Sequence, residues 1–183
     1  NALALLRDEL RRKVRPGIVG MGSMSDPYNP FEGELQLTRH ALELLDAYGF
    51  GAAIATKGDG ITRDIDVLRC MREHVPVLCK VTVTTTDAAL AARVEPNAPS
   101  PARRLEAVAR LAEAGLFAGV LLMPVLPFLE DNVENVRAVA EAAAEAGAVL
   151  PGRARAHTTF RPRCRAASRS TPPGALARSK VRQ

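Results

Sequence analysis

Residues able to do chemistry gather in a few short stretches. Ser25 and Asp26 lie in "GMGSMSDPYNPFE" (20–32), Lys57 ends "FGAAIATK" (50–57), and Thr84 lies in "VTVTTT" (81–86). Each stretch closes or follows an apolar run, as residues at the tip of a buried strand do. Met123, followed by Pro124, closes a further apolar run. Ser23, Tyr28, Asn29, Glu32, Asp59, Asp87, Glu95 and Asn97 would join them on one rim. A lysine, hydroxyls and several carboxylates on one rim suit a zwitterionic or phosphorylated small molecule, because such a ligand needs both a cation and acceptors. Lys57 has a second possible chemistry, a Schiff base with a carbonyl substrate. Each residue also has a plainer role. Asp26-Pro27 and Asn29-Pro30 are turn formers, the threonine run has β propensity, and Glu95-Pro96 can end a helix.

The order of elements explains how these residues could meet. The pattern predicts a helix over 2–14 and a strand over 17–22. A helix over 34–49 and a strand over 50–57 follow, then a helix over 61–74 and a strand over 75–86. Helices over 87–94, capped by Asp87, and 100–115, capped by Ser100, precede a strand over 116–128. A helix over 131–147 and the start of a strand at 148–150 complete the series. The strands are apolar throughout, which points to an α/β fold with a parallel sheet covered by helices. "DAYGFGAAIAT", "AEAGLFAGVLLM" and "AEAGAVL" repeat one helix-glycine-strand joint. Such repetition suits a barrel, a partial barrel or a doubly wound sheet, and in each the strand C-termini carry function.

Composition narrows the classes. The chain has 183 residues and a formal net charge of +5. Residues 149–183 hold nine Lys and Arg with no Asp or Glu, so the remainder has 16 basic residues against 20 acidic. The body is mildly acidic and the tail basic. Domain organisation is therefore read as a folded domain over 1–150 and a basic, disordered tail over 151–183. No apolar run reaches the roughly 18–20 residues of a membrane helix. Cys70, Cys79 and Cys164 show no metal-ligand spacing, and no secretory signal precedes them, so a cytoplasmic location is expected. His40, His74 and His157 have no neighbouring ligand in sequence. Neither the phosphate-loop signature nor a dinucleotide-binding GxGxxG is present.

"MGSMSDPYNPFEGELQLTRHALELLDAYGFGAAIATKGDGITRDIDVL", "VTVTTTDAALAARVEPNAPSPARRLEAVARLAEAG" and "GVLLMPVLPFLEDNVENV" together resemble the spore photoproduct lyase-like branch of the radical S-adenosylmethionine (SAM) superfamily. The resemblance runs from residue 1 to about 148. It implies a partial parallel (βα)6 barrel, here truncated at both ends. It also implies a 4Fe-4S cluster that cleaves SAM to a 5′-deoxyadenosyl radical. By that likeness Ser25 and Asp26 match the polar pair near the methionyl and ribose portion of SAM. Lys57 matches the cation facing its carboxylate, Thr84 a hydroxyl residue on the next strand, and Met123 a backbone contact to adenine. The cluster's CxxxCxxC loop is absent from this chain and is expected upstream of Asn1. Spore photoproduct lyases carry a hydrogen-donating cysteine where Ser23 stands, so the substrate is left open. The expected function is thus part of a radical SAM enzyme, with this chain alone inactive. Two alternatives stand beside it: a small barrel lyase or aldolase-like enzyme using Lys57, and a nucleic-acid-binding protein using the tail.

Overall fold

The computed structural model describes residues 1–149. The basic tail 151–183 and Leu150 lie outside the described residues. Helix α1 (Ala2–Arg12) leads into β1 (Ile18–Met21). Helices α2 (Glu32–Leu35) and α3 (Leu37–Tyr48) precede β2 (Gly51–Thr56). A 3-10 turn (Asp59–Asp64) runs into α4 (Ile65–Arg72), followed by β3 (Val77–Thr82). Helices α5 (Ala88–Val94) and α6 (Pro101–Glu113) lead to β4 (Phe117–Leu121), and α7 (Val133–Glu145) follows. The expected caps form: Asp87 accepts from the Ala89 and Leu90 amides and Ser100 from Arg103, while Asn132 accepts from Asn135.

All strand pairs are parallel, and the order is β1-β2-β3-β4. Because every crossover steps the same way and parallel crossovers are right-handed, the connecting helices fall on one face. Helix α3 packs on β2, α4 on β3, and α6 on β3 and β4. Leu42, Leu45, Leu68, Met71, Val108 and Leu111 from these helices meet Ile54, Cys79, Val81 and Ala118 from the sheet, none more than 1% exposed. Burial pushes the Cys79 thiol up to about 12, as expected of a small core residue.

The opposite face is different. Strand alternation places Gly20, Ala53, Ala55, Leu78, Lys80, Phe117 and Gly119 there. A Cβ added at Gly20 would meet no atom within 4 Å, and one at Gly119 only the Phe117 ring at 3.6 Å.

Four expected elements differ in extent; one is the helix expected over 61–74, whose first residues lie in the 3-10 turn so that α4 begins only at Ile65. The helix expected over 34–49 is two helices, because Gln36 turns left-handed (φ 48) between them. Both Glu32 carboxylate oxygens accept from the Thr38 amide at 3.0 Å and so supply the first turn of α3. The strand expected over 75–86 pairs only to Thr82, with Val83 adding one hydrogen bond to the Leu121 carbonyl at 3.0 Å. The strand expected over 116–128 ends at Leu121, since Pro124 and Pro127 have no amide hydrogen to donate. The joints at Gly49, Gly115 and Gly147 recur as read, each with φ near +75 (75, 76 and 76). At the last, the Val149 amide donates to the Ala118 carbonyl at 2.7 Å, on the outer side of β4. Among the described residues no helix is long and apolar enough to cross a membrane.

Candidate ligand-binding rim

The strand C-termini bring the expected rim residues to one end of the sheet. Beyond β1 the chain must pass close under β2. A Cβ at Gly22 (φ +97) would collide with the Ala55 carbonyl oxygen, so only glycine fits there. Asp26 then fixes the loop to the tip of β2. Its Oδ1 accepts from the Tyr28 amide at 2.9 Å and the Thr56 hydroxyl at 2.5 Å, and its Oδ2 accepts from the Lys57 amide at 2.6 Å. Asn29 Oδ1 accepts from the Phe31 amide at 3.0 Å. The concentration of polar residues in this stretch therefore has a structural cause: it builds a loop and ties that loop to its neighbour. Ser25 is exposed beside this anchor.

A buried charged cluster braces the same loop from behind. The Tyr28 hydroxyl donates to Asp64 Oδ2 at 3.1 Å, and Asp64 is fully buried. Arg63 reaches Asp64 Oδ1 and Glu32 Oε1, each at 2.8 Å, and Arg39 reaches Asp64 at 3.2 Å and Asp66 at 2.6 Å. Burial and the adjoining Asp64 carboxylate push the Tyr28 phenol well above its ordinary value. Hydrogen bonds to Asp66 and Asp64 raise Arg39 and Arg63 respectively, so both stay charged. Arg39, Arg63 and Asp64 sit in helical patterns in the sequence, and nothing in their spacing sets them apart from ordinary solvated helix charges.

Lys57 stands at the tip of β2, about one-third exposed, with its Nζ 2.6 Å from Glu95 Oε1. The other carboxylate oxygen of Glu95 accepts from buried Arg104 Nη2 at 2.6 Å. Arg104 in turn donates to the Pro99 and Thr82 carbonyls at 2.7 and 3.2 Å. Burial alone would raise the Glu95 pKa, but the hydrogen bonds from Lys57 and Arg104 outweigh it and hold the carboxyl below the usual range. The result is a lysine ammonium oriented by a carboxylate that is itself fixed by a buried guanidinium. The sequence marks Lys57 and Glu95 as rim residues; Arg104 reads there as one more helix arginine.

Thr84 is buried, and its carbonyl accepts from Asn135 Nδ2 at 2.8 Å, which docks the start of α7 on the rim. Met123 is 60% exposed and precedes a cis peptide to Pro124. Its loop carries buried Glu130, whose Oε2 accepts from the Leu126 amide at 2.9 Å while Oε1 has no hydrogen-bond partner. Asp26, Lys57, Glu95 and Thr84 thus serve three adjacent strand tips, and Met123 the fourth. Among the described residues there is no group of three or more His, Cys, Asp or Glu that could hold a metal ion.

No family model matches the chain, and no solved structure matches it. Curated relatives do. An uncharacterized protein of Mycobacterium tuberculosis strain H37Rv is 36% identical over 149 residues, covering 81% of this chain and 44% of that protein. An uncharacterized protein of Methanocaldococcus jannaschii is 30% identical over 126 residues, 69% of this chain and 47% of its own length. A third, from Acidianus two-tailed virus, is 32% identical over 134 residues, 71% of this chain and 43% of its own length. The chain spans a little under half the length of these relatives.

Proposed function

We propose that this chain is the central part of a radical SAM barrel, with the methionyl and adenosyl groups of SAM lying along the strand tips. One observation carries the reading. The parallel sheet runs in sequential order with helices on one face only, the arrangement of a sheet that curls into a barrel around its bare side. A doubly wound sheet would reverse direction and place helices on both faces. The rim agrees chemically. Lys57 offers a fixed ammonium to a carboxylate, Ser25 is exposed with its hydroxyl, and Met123 is exposed at the far tip. Asp26 contributes chiefly by holding the Lys57 amide and the Thr56 hydroxyl, which positions the lysine.

The donor set of this chain does not fit the 4Fe-4S cluster. The sequence has three cysteines, 70, 79 and 164, in no cluster spacing, and Cys79 is buried on the helix side. Under this proposal the cluster would be held by residues outside this chain. Radical chemistry is what cluster and SAM together supply there; this segment's residues bind and orient.

The Schiff-base reading of Lys57 draws less support from the geometry. A lysine attacks a carbonyl with a free nitrogen lone pair, and the Lys57 nitrogen is engaged with the Glu95 carboxylate at 2.6 Å. The nucleic-acid reading depends on the tail, outside the described residues.

Calorimetric titration of SAM into the full chain tests the proposal. Saturable binding that weakens about tenfold in Lys57→Gln is expected, the cost of losing one charge-assisted hydrogen bond. No binding, or binding unchanged in that variant, contradicts it.

A further inference from the structure

We propose that the open face of the sheet binds an organic anion with an apolar body, and that Lys80 receives its carboxylate or phosphate. The inference rests on the reading of that face as the inside of a barrel-type site, and names the chemical class of substrate held there. Lys80 lies in the middle of β3, between Ala55 of β2 and Gly119 of β4. Neither neighbour carries a side chain beyond Cβ, so the four-carbon stem has room to lie across the sheet. Its strand neighbours Cys79 and Val81 point into the helix-covered core, which sets Lys80 on the open side.

Lys80 is half-buried, and an ammonium there is stabilised by an opposite charge within reach. The other lysines of the described residues have one: Lys13 lies 4.0 Å from Glu9 and Lys57 2.6 Å from Glu95. The Lys80 side chain makes no ion pair or hydrogen bond among the described residues. What surrounds it is apolar. Leu78 precedes it on the same face, Phe117 leans beside Gly119, and Leu121 lies across from Thr82, whose hydroxyl is the one neutral polar group in that row. One unpaired ammonium, one hydroxyl and apolar walls complement an anionic head on an aliphatic or aromatic body. Lys57 already has its counter-ion, so the two lysines divide the work: one at the rim, one on the floor.

The chain has four lysines, Lys13, Lys57, Lys80 and Lys180, so ε-carbon-labelled lysine gives four NMR signals assignable by single Lys→Arg variants. The full chain is titrated with hexanoate, with hexyl phosphate and with chloride at matched ionic strength. The proposal expects the Lys80 signal to move saturably with an organic anion and not with chloride, while Lys13 stays put. The tighter of the two anions identifies the head group. Lys80→Met, which keeps the stem, should weaken binding about tenfold or more, and Lys13→Gln, on α1, should leave it intact. A Lys80 signal that stays still, that moves only as Lys13 does, or binding that survives Lys80→Met overturns the proposal. SAM added to the same sample reports through Lys57. Failure there bears on the proposed function, and failure of hexanoate at Lys80 bears on this inference alone.

Discussion

The two faces of the sheet are made from the same four strands but obey different rules. The helix side carries Ile54, Cys79, Val81 and Ala118, fully closed beneath α3, α4 and α6. The other side carries Gly20, Ala53, Ala55 and Gly119 around Lys80, with the larger Leu78, Phe117 and Leu121 along its β3–β4 side. A face built for stability is filled with branched and sulfur side chains at crystal-like density. A face with room for a ligand gives up that filling and keeps small residues and a cation. The rim joins the two. Behind it, Asp64, Arg63, Arg39 and Tyr28 lock the β1 loop, and in front of it Lys57 pairs with Glu95.

The contrast can be broken most severely from the covered side. Ile54→Ala opens a cavity between the sheet and its helices and should cost about 2–5 kcal/mol by urea unfolding, whereas Ala53→Ser, one residue away on the open face, should cost within about 0.5 kcal/mol. Asp64→Ala leaves Arg63, Arg39 and the Tyr28 hydroxyl without the buried carboxylate they share. It should cost about 3–5 kcal/mol, and heat-induced loss of near-ultraviolet tyrosine signal from Tyr28 reads it. Asp26→Ala removes three hydrogen bonds at a half-buried position and should cost about 1–3 kcal/mol. Because it frees the Lys57 backbone, it should also weaken SAM binding. Lys80→Met should be nearly neutral or slightly stabilising, since it replaces an unpaired cation by an apolar stem of similar length.

Glu95 sharpens the comparison through pH. Its folded-state pKa is depressed below that of the unfolded chain, so its contribution is present above the ordinary glutamate value of about 4.3. That contribution is lost as pH falls through the folded value. Stability curves of the chain and of Glu95→Gln should therefore converge below about pH 4 and separate above it. Parallel curves across that window would mean that the Lys57–Glu95–Arg104 chain of contacts contributes nothing.

Much of the fold was legible in the sequence because local and global signals agreed. Asp87 and Ser100 announce their helices, and Gly49, Gly115 and Gly147 end theirs at the expected joints. Strand ends were less legible. Apolar character continues past Leu121 and Thr82, but the ladder stops where the neighbouring strand or an amide donor gives out. Asp26 and Lys57 could be found from their place after apolar runs. Arg104 and Asp64 could not, because a buried charge on a helix has the same sequence signature as a solvated one until a partner from another element is placed against it. Lys80 was overlooked for a related reason. A lysine inside a strand reads as an edge or surface residue, and only the register shows it between Ala55 and Gly119.

The central claim is that one face of this sheet is open to small molecules. Thiol accessibility measures it directly in the full chain. Ala53→Cys lies on the open face beside Gly20, and Ala52→Cys lies one residue earlier on the covered face. Against the native cysteine background, the Ala53→Cys thiol should react with an aromatic disulfide reagent at a rate close to that of an exposed cysteine. The Ala52→Cys thiol should react only as fast as the chain unfolds. Equal protection at both positions would mean that the face is covered and that the ligand site is elsewhere.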